Sequence, residues 1–381
     1  MPANPLTDEQ CREVLKALDE CNGVKAHAAD HLNMRRNTFN HRLQQAYNRG
    51  LHLSDGIRSA LGTTRIAPGE ARHGWSRVQD EDGSFHSVFW KNEETTQDFI
   101  DQVKDAFAGI KRVKPVKAPK DSLSEYLTVY PLMDVHFGML AWRKETGQTD
   151  YDMGIAADEM RHAFAKISRL TPKSQEAVLL VGGDFFHADD DTAETPQSGH
   201  SLDVDGRHFK VLDSGVQLVS EVIDSLLIKH EKITIRVLRG NHDLNSHMVL
   251  TFALAERYRD EPRIEVEKNP MDLFHKQWGR TLIAAHHGDK AKGERLALYL
   301  SDVCPYWSET RHRYCFLGHL HHNKQQDVGP LHLETLRAFC PPDSYAAGMG
   351  YASRRALQAL TFSNKDGLII RAMDPIERAE K

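Results

Sequence analysis

Residues 233–243 read Ile-Thr-Ile-Arg-Val-Leu-Arg-Gly-Asn-His-Asp, and this stretch decides the fold class. Its first six residues form an apolar, β-branched run, which predicts a buried strand. Gly240 predicts a turn directly after the strand, and the turn presents Asn241, His242 and Asp243 at three consecutive positions. One such polar cluster is weak evidence for a functional site. Four more strand-like runs of this sequence, however, end in the same way.

The other four apolar runs cover residues 127–133, 177–181, 282–285 and 314–317. They end in Asp134-Val135-His136, in Gly182-Gly183-Asp184-Phe185-Phe186-His187, in His286-His287-Gly288-Asp289 and in Gly318-His319-Leu320-His321-His322. Because the carboxyl ends of neighbouring strands meet at one edge of an α/β sheet, these side chains are expected to converge. A set of Asp, Asn and His without thiolates suits Mn²⁺, Fe or Zn²⁺ rather than a structural Cys-zinc site. The set is large enough for two metal ions that share one carboxylate.

The order of these five blocks resembles that of the calcineurin-like metallophosphoesterases. The resemblance extends over about residues 127–322, and all five blocks occur in the family's order. It implies an α/β protein with a two-sheet αβ sandwich flanked by helices, and the alternation of strand and helix patterns agrees with that fold. The competing interpretation is that some of the 22 His residues merely cluster with Asp on a surface. Five blocks in family order, each after an apolar run, disfavour it.

The resemblance also implies which residues bind metal ions. They are Asp134, His136 and His321 for the first ion, Asn241, His319 and either His286 or His287 for the second, and Asp184 as the bridge. Asp184 suits the bridging position because a carboxylate has two oxygens, whereas one imidazole cannot hold two cations. The choice between His286 and His287 stays open in the sequence. Two divalent ions are expected as cofactors, with Mn²⁺ first and Zn²⁺, Fe or Mg²⁺ as alternatives.

The predicted catalytic residues are His242, Asp243 and His187. In the family, the His corresponding to His242 protonates the leaving oxygen or stabilises the charge of the transition state. Asp243 is expected to orient His242 by accepting its other ring N–H. The block around Asp184 lacks the Arg of Ser/Thr protein phosphatases, and His187 stands where purple acid phosphatases have Tyr. It is similar instead to the nuclease subunit of double-strand-break repair complexes, in which this His assists catalysis.

Residues 1–52 form a first predicted domain. Thr7 and Gln10 predict a capping box for a first helix, and two further helices follow, so that the unit resembles helix-turn-helix modules. The third helix carries an exposed polar face without acidic residues. Its predicted DNA contacts are Arg35, Arg36, Asn37, Thr38, Asn40 and Arg42. Arg and Asn reach phosphates and base edges when a helix enters the major groove. The alternative is a three-helix adaptor whose basic face is only solvated.

Residues 53–121 are predicted to be an accessory segment, and residues 122–381 the catalytic domain. The accessory segment has a hairpin pattern around Asp82-Gly83, a helical pattern at 95–109 and a basic, Pro-containing linker at 111–120. Within the catalytic domain, 151–170 and 216–231 are predicted helices. The acidic insert at 188–210 is expected to be a loop at the rim of the site. Arg207 could contact a substrate phosphate there, although pairing with a neighbouring Asp is the favoured interpretation.

Composition limits the compartment and the partners. The net charge of −5 argues neither for nor against nucleic acid, and the five Cys residues contain no CxxC pair. Reduced thiols, the polar N-terminus and the lack of a long apolar run predict a cytoplasmic protein without a membrane partner. About sixty residues follow His322, so the resemblance to the repair nucleases implies their chemistry and no ATPase partner. Oligomeric state is left open.

Two classes of function remain from the sequence. The first is a two-metal phosphodiester hydrolase acting on DNA, either an exonuclease or an endonuclease. A DNA-binding unit ahead of such an enzyme suggests a mobile-element or bacteriophage protein. The second is a phosphomonoesterase acting on nucleotides or another small phosphorylated substrate, with the N-terminal unit as an adaptor. A DNA-binding regulator with an inactive catalytic fold is disfavoured because every expected ligand position is filled.

Overall fold

The structure is a computed structural model of the 381-residue chain. It describes residues 6–21, 25–49, 51, 73–79, 85–91, 111–196, 198–291, 293–352 and 354–376. The chain divides into two compact units, Met1–Lys104 and Asp105–Lys381. The predicted helix at 95–109 and the turn at Asp82-Gly83 lie outside the described residues. The predicted division into three domains stays a prediction.

The N-terminal unit contains the three predicted helices, α1 (Asp8–Glu20), α2 (Lys25–His31) and α3 (Arg36–Asn48). The predicted capping box is present, since the Gln10 N–H donates to the Thr7 hydroxyl and the Gln10 side chain accepts the Thr7 N–H. Ala28 and Ala29 of α2 are buried against Phe39 and Leu43 of α3. Small side chains at α2 therefore let these helices pack closely, as the sequence predicts. Farther along, β1 (His73–Gln79) and β2 (Phe85–Lys91) pair antiparallel in the predicted hairpin.

The basic segment at 111–120 differs from the solvated linker that the sequence predicts. Its side chains are mostly exposed, but its backbone is attached to the catalytic unit. The Val113 N–H donates to the carbonyl of Arg257 at 2.9 Å, and the Val116 N–H donates to the Glu261 carboxylate at 2.7 Å. Arg112 pairs with Glu256 at 2.6 Å. These partners are about 145 residues away in the chain, so the local sequence could not indicate them.

Two sheets form the centre of the catalytic unit. The six-stranded sheet has the order β13-β12-β3-β4-β5-β6, and β3, β4, β5 and β6 are parallel. Its strands are β3 (Leu123–Leu132), β4 (Ser174–Gly182), β5 (Lys232–Leu238), β6 (Ile264–Val266), β12 (Leu357–Ser363) and β13 (Gly367–Asp374). The five-stranded sheet has the order β10-β11-β9-β8-β7, with β8, β9 and β11 parallel. Its strands are β7 (Leu273–Trp278), β8 (Thr281–His286), β9 (His312–Leu317), β10 (Lys324–Val328) and β11 (Leu331–Thr335).

The described helices of this unit surround the sheets. They are α4 (Arg143–Thr146), α5 (Met153–Leu170), α6 (His208–Leu227), α7 (Ser246–Arg257), α8 (Gly293–Val303) and α9 (Ser344–Gly348). Helix α6 begins eight residues before the predicted start at 216, so the insert is a loop only as far as Arg207. Gly215 lies inside α6, where a Cβ would come within 2.5 Å of the Phe186 ring. Close packing, and not a helix end, explains this glycine.

Apolar side chains from both sheets meet in one layer of the core. Val129 and Leu180 of the first sheet are buried together with Ile283 and Phe316 of the second. On the other face of the first sheet, α5, α6 and α7 cover a larger buried cluster, and α8 covers the outer face of the second sheet. The predicted α/β class, with two sheets between helices and a small helical N-terminal unit, is confirmed. In the described ranges, every helix is too short or too polar to cross a lipid bilayer.

Candidate metal centre

The five polar blocks all follow strands at the carboxyl edge of the two sheets. Asp134 follows β3, Asp184 follows β4 and Asn241 follows β5 in the first sheet. His287 and His319 follow β8 and β9 in the second sheet. Since these strands are parallel within each sheet, and the sheets pack face to face, all five blocks reach one region of the unit.

The backbone at the predicted ligands has an uncommon conformation. Asp134 and His136 each have φ of 48°, Asp184 has 50°, and His319 and His321 have 67° and 57°. Side chains other than glycine seldom adopt this left-handed region, and each such residue costs on the order of 1–3 kcal/mol. Hydrogen bonds hold the conformation. The His136 N–H donates to the carbonyl of Asp184, and the His319 N–H donates to both oxygens of Asp134 at 2.9 Å.

One cluster of donor atoms joins residues of both sheets. His136 Nε2 lies 3.3 Å from His321 Nε2, and Asp134 Oδ1 lies 3.7 Å from His321 Nε2. Asp184 Oδ2 lies 3.9 Å from His136 Nε2. Burial lowers the pKa of His136 well below its usual range, and nearby imidazoles act in the same direction. The neutral imidazole is the form that binds a metal ion.

A second cluster lies on the other side of Asp184. His287 Nε2 is 3.1 Å from Asp184 Oδ2 and 3.2 Å from Asn241 Oδ1. Ligand atoms of Asp184, His287 and His319 lie within 4.8 Å of one another. Burial of His287 opposes its protonation, but the Asp184 carboxylate raises the pKa of His287 to about 10. Asp184 is the residue that the two clusters share.

The structure separates His286 from His287. The His286 ring accepts the Gly288 N–H through Nδ1 at 2.9 Å, and within the described residues it belongs to neither donor cluster. The His287 ring points into the second cluster, and its Nδ1 lies 3.1 Å from the carbonyl of Gly182. A ligand His commonly donates its other ring N–H to a backbone carbonyl. Of the two alternatives that the sequence leaves open, the geometry therefore favours His287.

Asp243 does not orient His242, contrary to the prediction. Its buried carboxylate accepts backbone N–H groups from Gly240 at 2.7 Å, Phe185 at 2.9 Å and Asp184 at 3.2 Å. Burial, together with the nearby Asp184 carboxylate, raises the pKa of Asp243 to about 7, although the Gly240 N–H opposes this. These N–H groups lie in turns after the strands and have no partner in any neighbouring strand that the structure describes, so they donate to the Asp243 carboxylate instead. Asp243 fixes the position of the Asp184 loop instead.

His187 lies behind the first cluster, where only 1% of it is exposed. Its Nδ1 is 3.0 Å from Nδ1 of His136, and its carbonyl lies 2.8 Å from Nδ1 of His242. The rings of His187 and His242 are nearly parallel, with centroids 5.4 Å apart. Burial lowers the pKa of His187 to about 3. His187 therefore contacts both a predicted ligand and the predicted catalytic imidazole.

The donor set fits divalent cations. Asp134 and Asp184 are 0% and 1% exposed, and among the described residues neither forms an ion pair with Lys or Arg. A buried carboxylate is costly unless it is paired or coordinates a metal ion. The other donors that surround them are imidazole nitrogens and one amide oxygen, which are ligands of first-row metal ions. The His187 Nε2 atom is buried without a hydrogen-bond partner beside this set.

Cys340 is a neighbour of the site that the sequence analysis missed. Its buried Sγ lies 4.0 Å from Nδ1 of His321, and its side chain belongs with His136 and His321 to one group of potential ligands. Cys340 follows β11 by five residues and stands outside the five blocks. No signal in the sequence could have indicated it, because its place depends on how the chain returns from the second sheet to the first.

The residues predicted to contact DNA, at the start of α3 and along it, differ in exposure. Arg35, Arg36, Thr38 and Asn40 are exposed, and the side chain of Asn37 lies outside the described residues. Arg42 differs from the prediction, because it is half-buried and pairs with Glu13 of α1 at 3.5 Å. Its guanidinium therefore stabilises the helix packing and does not extend the exposed face.

The insert after His187 is attached to the protein at two places. The buried carboxylate of Asp189 accepts the N–H groups of Asn245 and Ser246 at 2.8–3.0 Å, at the start of α7. Farther along, the Asp203 carboxylate accepts the Ser344 hydroxyl of α9. Arg207 lines a small cavity together with Asp190 and Asp191. The insert is thus a fixed border of the candidate site.

Comparisons with known proteins support the helix-turn-helix interpretation of the N-terminal unit. Residues 5–45 match the family model described as "Bacterial regulatory protein, Fis family", which agrees with the helix-turn-helix resemblance. This match covers a small part of the chain. The comparison with curated proteins finds no match.

Solved structures that match are only distantly similar. A conserved uncharacterized protein from Streptococcus pneumoniae, described as a predicted phosphoesterase, is 11% identical, with 66% of this chain and 99% of that chain covered and a TM-score of 0.27. Zn²⁺-bound Vps29 from Entamoeba histolytica is 10% identical, with 66% and 99% covered and a TM-score of 0.28. A hypothetical protein from Pyrococcus horikoshii is 9% identical, with 67% and 89% covered and a TM-score of 0.32. At such scores, the assignment of function has to rest on this chain's own residues.

Proposed function

We propose that this chain is a metal-dependent phosphodiester hydrolase that acts on DNA. The observation that carries the proposal is the meeting of all five polar blocks in two donor clusters that share Asp184. Asp134, His136, His321 and Asp184 would hold one divalent ion, and Asp184, Asn241, His287 and His319 the other. Such a pair of ions supplies a nucleophilic water near neutral pH and neutralises charge on the phosphoryl oxygens. Mn²⁺ is the first choice, with Zn²⁺, Fe and Mg²⁺ as alternatives.

His242 is the proposed general acid for the leaving oxygen. Its Nδ1–H donates to the carbonyl of His187 at 2.8 Å, which leaves Nε2 as the nitrogen that can serve the substrate. The His242 backbone N–H donates to Asp184 Oδ1 at 2.8 Å, so the acid and the shared carboxylate are held in one arrangement. A positioned imidazole that transfers a proton contributes typically 10²–10⁴-fold to the rate. The half-buried ring lies beside His136, at 4.7 Å between centroids.

His187 has a positioning role in this proposal and not the leaving-group role that the resemblance implies. Its side chain is buried, so a substrate oxygen has no access to it. If Nε2 of His136 held a metal ion, the Nδ1–H of His136 would donate to Nδ1 of His187, which lies 3.0 Å away. Such a partner fixes the tautomer and the ring orientation of a ligand. His187 also holds His242 through its carbonyl, and thereby links the first metal site to the general acid.

DNA as the substrate is supported by the N-terminal unit. The match to a bacterial regulatory family covers the helices that carry Arg35 and Arg36, and both side chains are exposed at the start of α3. A helix with this polar face suits the major groove and phosphates. The Gly-Gly-Asp-Phe-Phe-His block adds its similarity to repair nucleases. Arg35→Glu with Arg36→Glu should abolish binding to duplex DNA, and unchanged binding would refute this role.

A second candidate function is phosphomonoester hydrolysis of nucleotides or another small phosphate. It is favoured by the insert at 188–207, because hydrogen bonds of Asp189 and Asp203 attach this segment to the start of α7 and to α9. The chemistry at the two clusters would be the same. In that case the N-terminal unit would recruit the enzyme to DNA or to a partner without presenting the substrate.

One assay separates the two candidates. The full chain with Mn²⁺ is incubated with end-labelled single- and double-stranded DNA, and in parallel with a chromogenic phosphodiester and phosphomonoester. Asp184→Asn is the inactive variant, and Asp327→Asn, an exposed carboxylate of β10, is the matched control. DNA cleavage that Asp184→Asn abolishes and Asp327→Asn retains would support the nuclease, and the product ladder would distinguish exo- from endonuclease action. Cleavage of the monoester with DNA left intact would overturn the DNA proposal in favour of the second candidate.

A further inference from the structure

Arg239 lies directly before the Gly240-Asn241-His242-Asp243 block and has no part in the chemistry described above. It is the residue after β5, in the first sheet. Its side chain is only 14% exposed. A charged side chain is seldom buried to this degree unless it is paired. The partners of its guanidinium therefore indicate what the side chain does.

Both carboxylates that pair with Arg239 belong to the second sheet. Its Nε donates to Asp272 Oδ1 at 2.9 Å, and its Nη2 donates to Asp289 Oδ2 at 3.3 Å. Asp272 precedes β7 and Asp289 follows β8, and these strands are antiparallel with Leu273 opposite His286. The two carboxylates therefore lie at the same edge of the second sheet. A guanidinium holds its donors in a rigid fork, so Arg239 can connect the first sheet to both of them at once.

Each end of this connection lies two residues from a proposed ligand of the second ion. Arg239 precedes Asn241 by two residues, and Asp289 follows His287 by two residues. Asn241 Oδ1 and His287 Nε2 lie 3.2 Å apart. Because a chain spans at most about 3.6 Å per residue, each end of the ion pair is close to the ligand on its own segment. The Arg239–Asp289 pair therefore restrains the two segments where their ligands meet.

The backbone of Arg239 lies beside the same ligand. A Cβ on Gly183 would come within 2.9 Å of the Arg239 carbonyl oxygen and within 2.5 Å of Nδ1 of His287. The carbonyl and the His287 ring thus share the side of Gly183 that carries no side chain. Arg239 is a neighbour of His287 through its backbone as well as through Asp289.

Burial distinguishes this connection from an ordinary surface salt bridge. Lys290 also approaches Asp272, at 3.5 Å, but its side chain is 53% exposed, and exposed pairs contribute little. The Asp289 side chain is 8% exposed. A buried charge that loses its partner is strongly unfavourable, so the structure around it has to change. Removal of the Arg239 guanidinium should therefore displace the segment that carries His287.

We propose that Arg239 is a positioning residue of the second metal site, which holds Asn241 and His287 at the separation that one divalent ion requires. The inference rests on the metal centre of the proposed function and adds a residue that contacts neither a metal ion nor the substrate. The two ions should respond differently to its loss, since Arg239 precedes one ligand of the second ion and Asp289 follows another. Loss of a residue that orients a ligand typically weakens metal binding by about 10- to 100-fold.

The test measures Mn²⁺ binding to the full chain by calorimetry, without a substrate. The parent chain should bind two ions. Arg239→Gln should keep one ion at the parent affinity and bind the other about 10- to 100-fold more weakly. At a Mn²⁺ concentration that fills both sites of the parent, electron paramagnetic resonance should show two coupled ions in the parent and mostly isolated ions in the variant.

Arg161→Gln is the matched control. Arg161 also pairs with two carboxylates, Asp158 at 3.1 Å and Glu221 at 2.7 Å, and it connects α5 to α6 on the exposed surface. This variant should bind two ions with the affinities of the parent chain. A general loss of ion pairs is thereby separated from the loss of this one.

Asp289→Asn tests the connection from its other end, and it decides the question if Arg239→Gln does not fold. It should weaken the same ion to a similar extent. The Arg239→Gln/Asp289→Asn double variant should lose little more than either single variant, because both substitutions remove one shared interaction.

Different results would overturn the positioning role and the metal centre. Two Mn²⁺ ions at parent affinity in Arg239→Gln, or in Asp289→Asn where the first variant does not fold, would refute the role of Arg239 and leave the proposed function intact. Equal weakening of both ions would also refute it, since the effect would then not be specific to the second site. A parent chain that binds fewer than two ions would refute the two-ion centre itself, and the positioning role with it.

Discussion

Gly240 offers a direct test of whether the position of Asp184 controls the chemistry. A Cβ on Gly240 would lie 1.9 Å from Asp184 Oδ1 and 2.4 Å from the Asp184 backbone nitrogen. Normal contacts of a Cβ with these atoms begin at about 3.0 Å. Gly240→Ala must therefore move the carboxylate by more than about 1 Å, or move the turn. The turn resists, because the Gly240 N–H donates to Asp243 at 2.7 Å.

The expected loss follows from this displacement. A misplacement of about 1 Å in a catalytic arrangement can cost on the order of 100-fold in rate. That factor corresponds to about 2.7 kcal/mol in the activation free energy. The substitution also disturbs the bond between the His242 N–H and Asp184 Oδ1, so the general acid moves with the carboxylate. Since Asp184 belongs to both donor clusters, metal affinity should fall as well, by about 10- to 100-fold.

The measurement is kcat on the chromogenic phosphodiester as a function of Mn²⁺ concentration, with metal affinity from calorimetry. Gly348→Ala is the matched control, because nothing lies within 4 Å of a Cβ at that position of α9. The control should keep both quantities, and circular dichroism should show that both variants fold. If Gly240→Ala kept kcat and Mn²⁺ affinity within about threefold of the parent chain, Asp184 would not be the constrained centre of the site, and the proposed arrangement would be wrong.

Three further substitutions test separate parts of the structure. His242→Ala should keep Mn²⁺ affinity and lower kcat by about 10²–10⁴-fold, because the ring supplies a proton and no metal ligand; full activity would contradict its role as the acid. His287→Asn should lower Mn²⁺ affinity while His286→Asn leaves it unchanged, and calorimetry showing the opposite order would reverse the assignment. Burial lowers the pKa of His230 to about 4, whereas the unfolded chain takes up this proton near pH 6.5. The free energy of unfolding should therefore decrease between about pH 6.5 and pH 4, by about 3 kcal/mol from this group. His230→Gln should remove that part of the decrease, which is measured as the change in the free energy of urea unfolding between pH 7 and pH 4.5. An equal change in the variant and in the parent chain would refute the contribution of His230.

The positions of the blocks could be predicted from sequence because the signal is local. An apolar run followed directly by Asp, Asn or His predicts a strand with a ligand at its end, and β3, β4, β5, β8 and β9 all follow this pattern. The helix-turn-helix unit could be predicted for a similar reason, since the Thr7 capping box and the apolar spacing of α2 and α3 are local. Both kinds of prediction need only neighbouring residues.

The failures concern contacts between distant segments. Asp243 was assigned to its neighbour His242, but its carboxylate binds N–H groups of the turn at 184–185, nearly sixty residues earlier. The sequence pattern places Arg42 on the exposed face, but its guanidinium pairs with Glu13 of α1. A sequence pattern shows which side chains can accept or donate a hydrogen bond. It does not show which of several distant groups becomes the partner in the folded chain. The choice between His286 and His287 stayed open for the same reason, because it depends on the distance between the two sheets.

The two aspartates around Gly240 show why a strained site can be stable. Asp184 has a left-handed backbone and a buried carboxylate, and both features are unfavourable alone. Asp243 compensates, because its carboxylate accepts N–H groups on either side of the Asp184–Gly240 contact. The protein thus uses one buried carboxylate, which is not in either donor cluster within the described residues, to fix another that both clusters share. Backbone N–H groups and the Asp243 carboxylate therefore fix the position of the carboxylate that both donor clusters share.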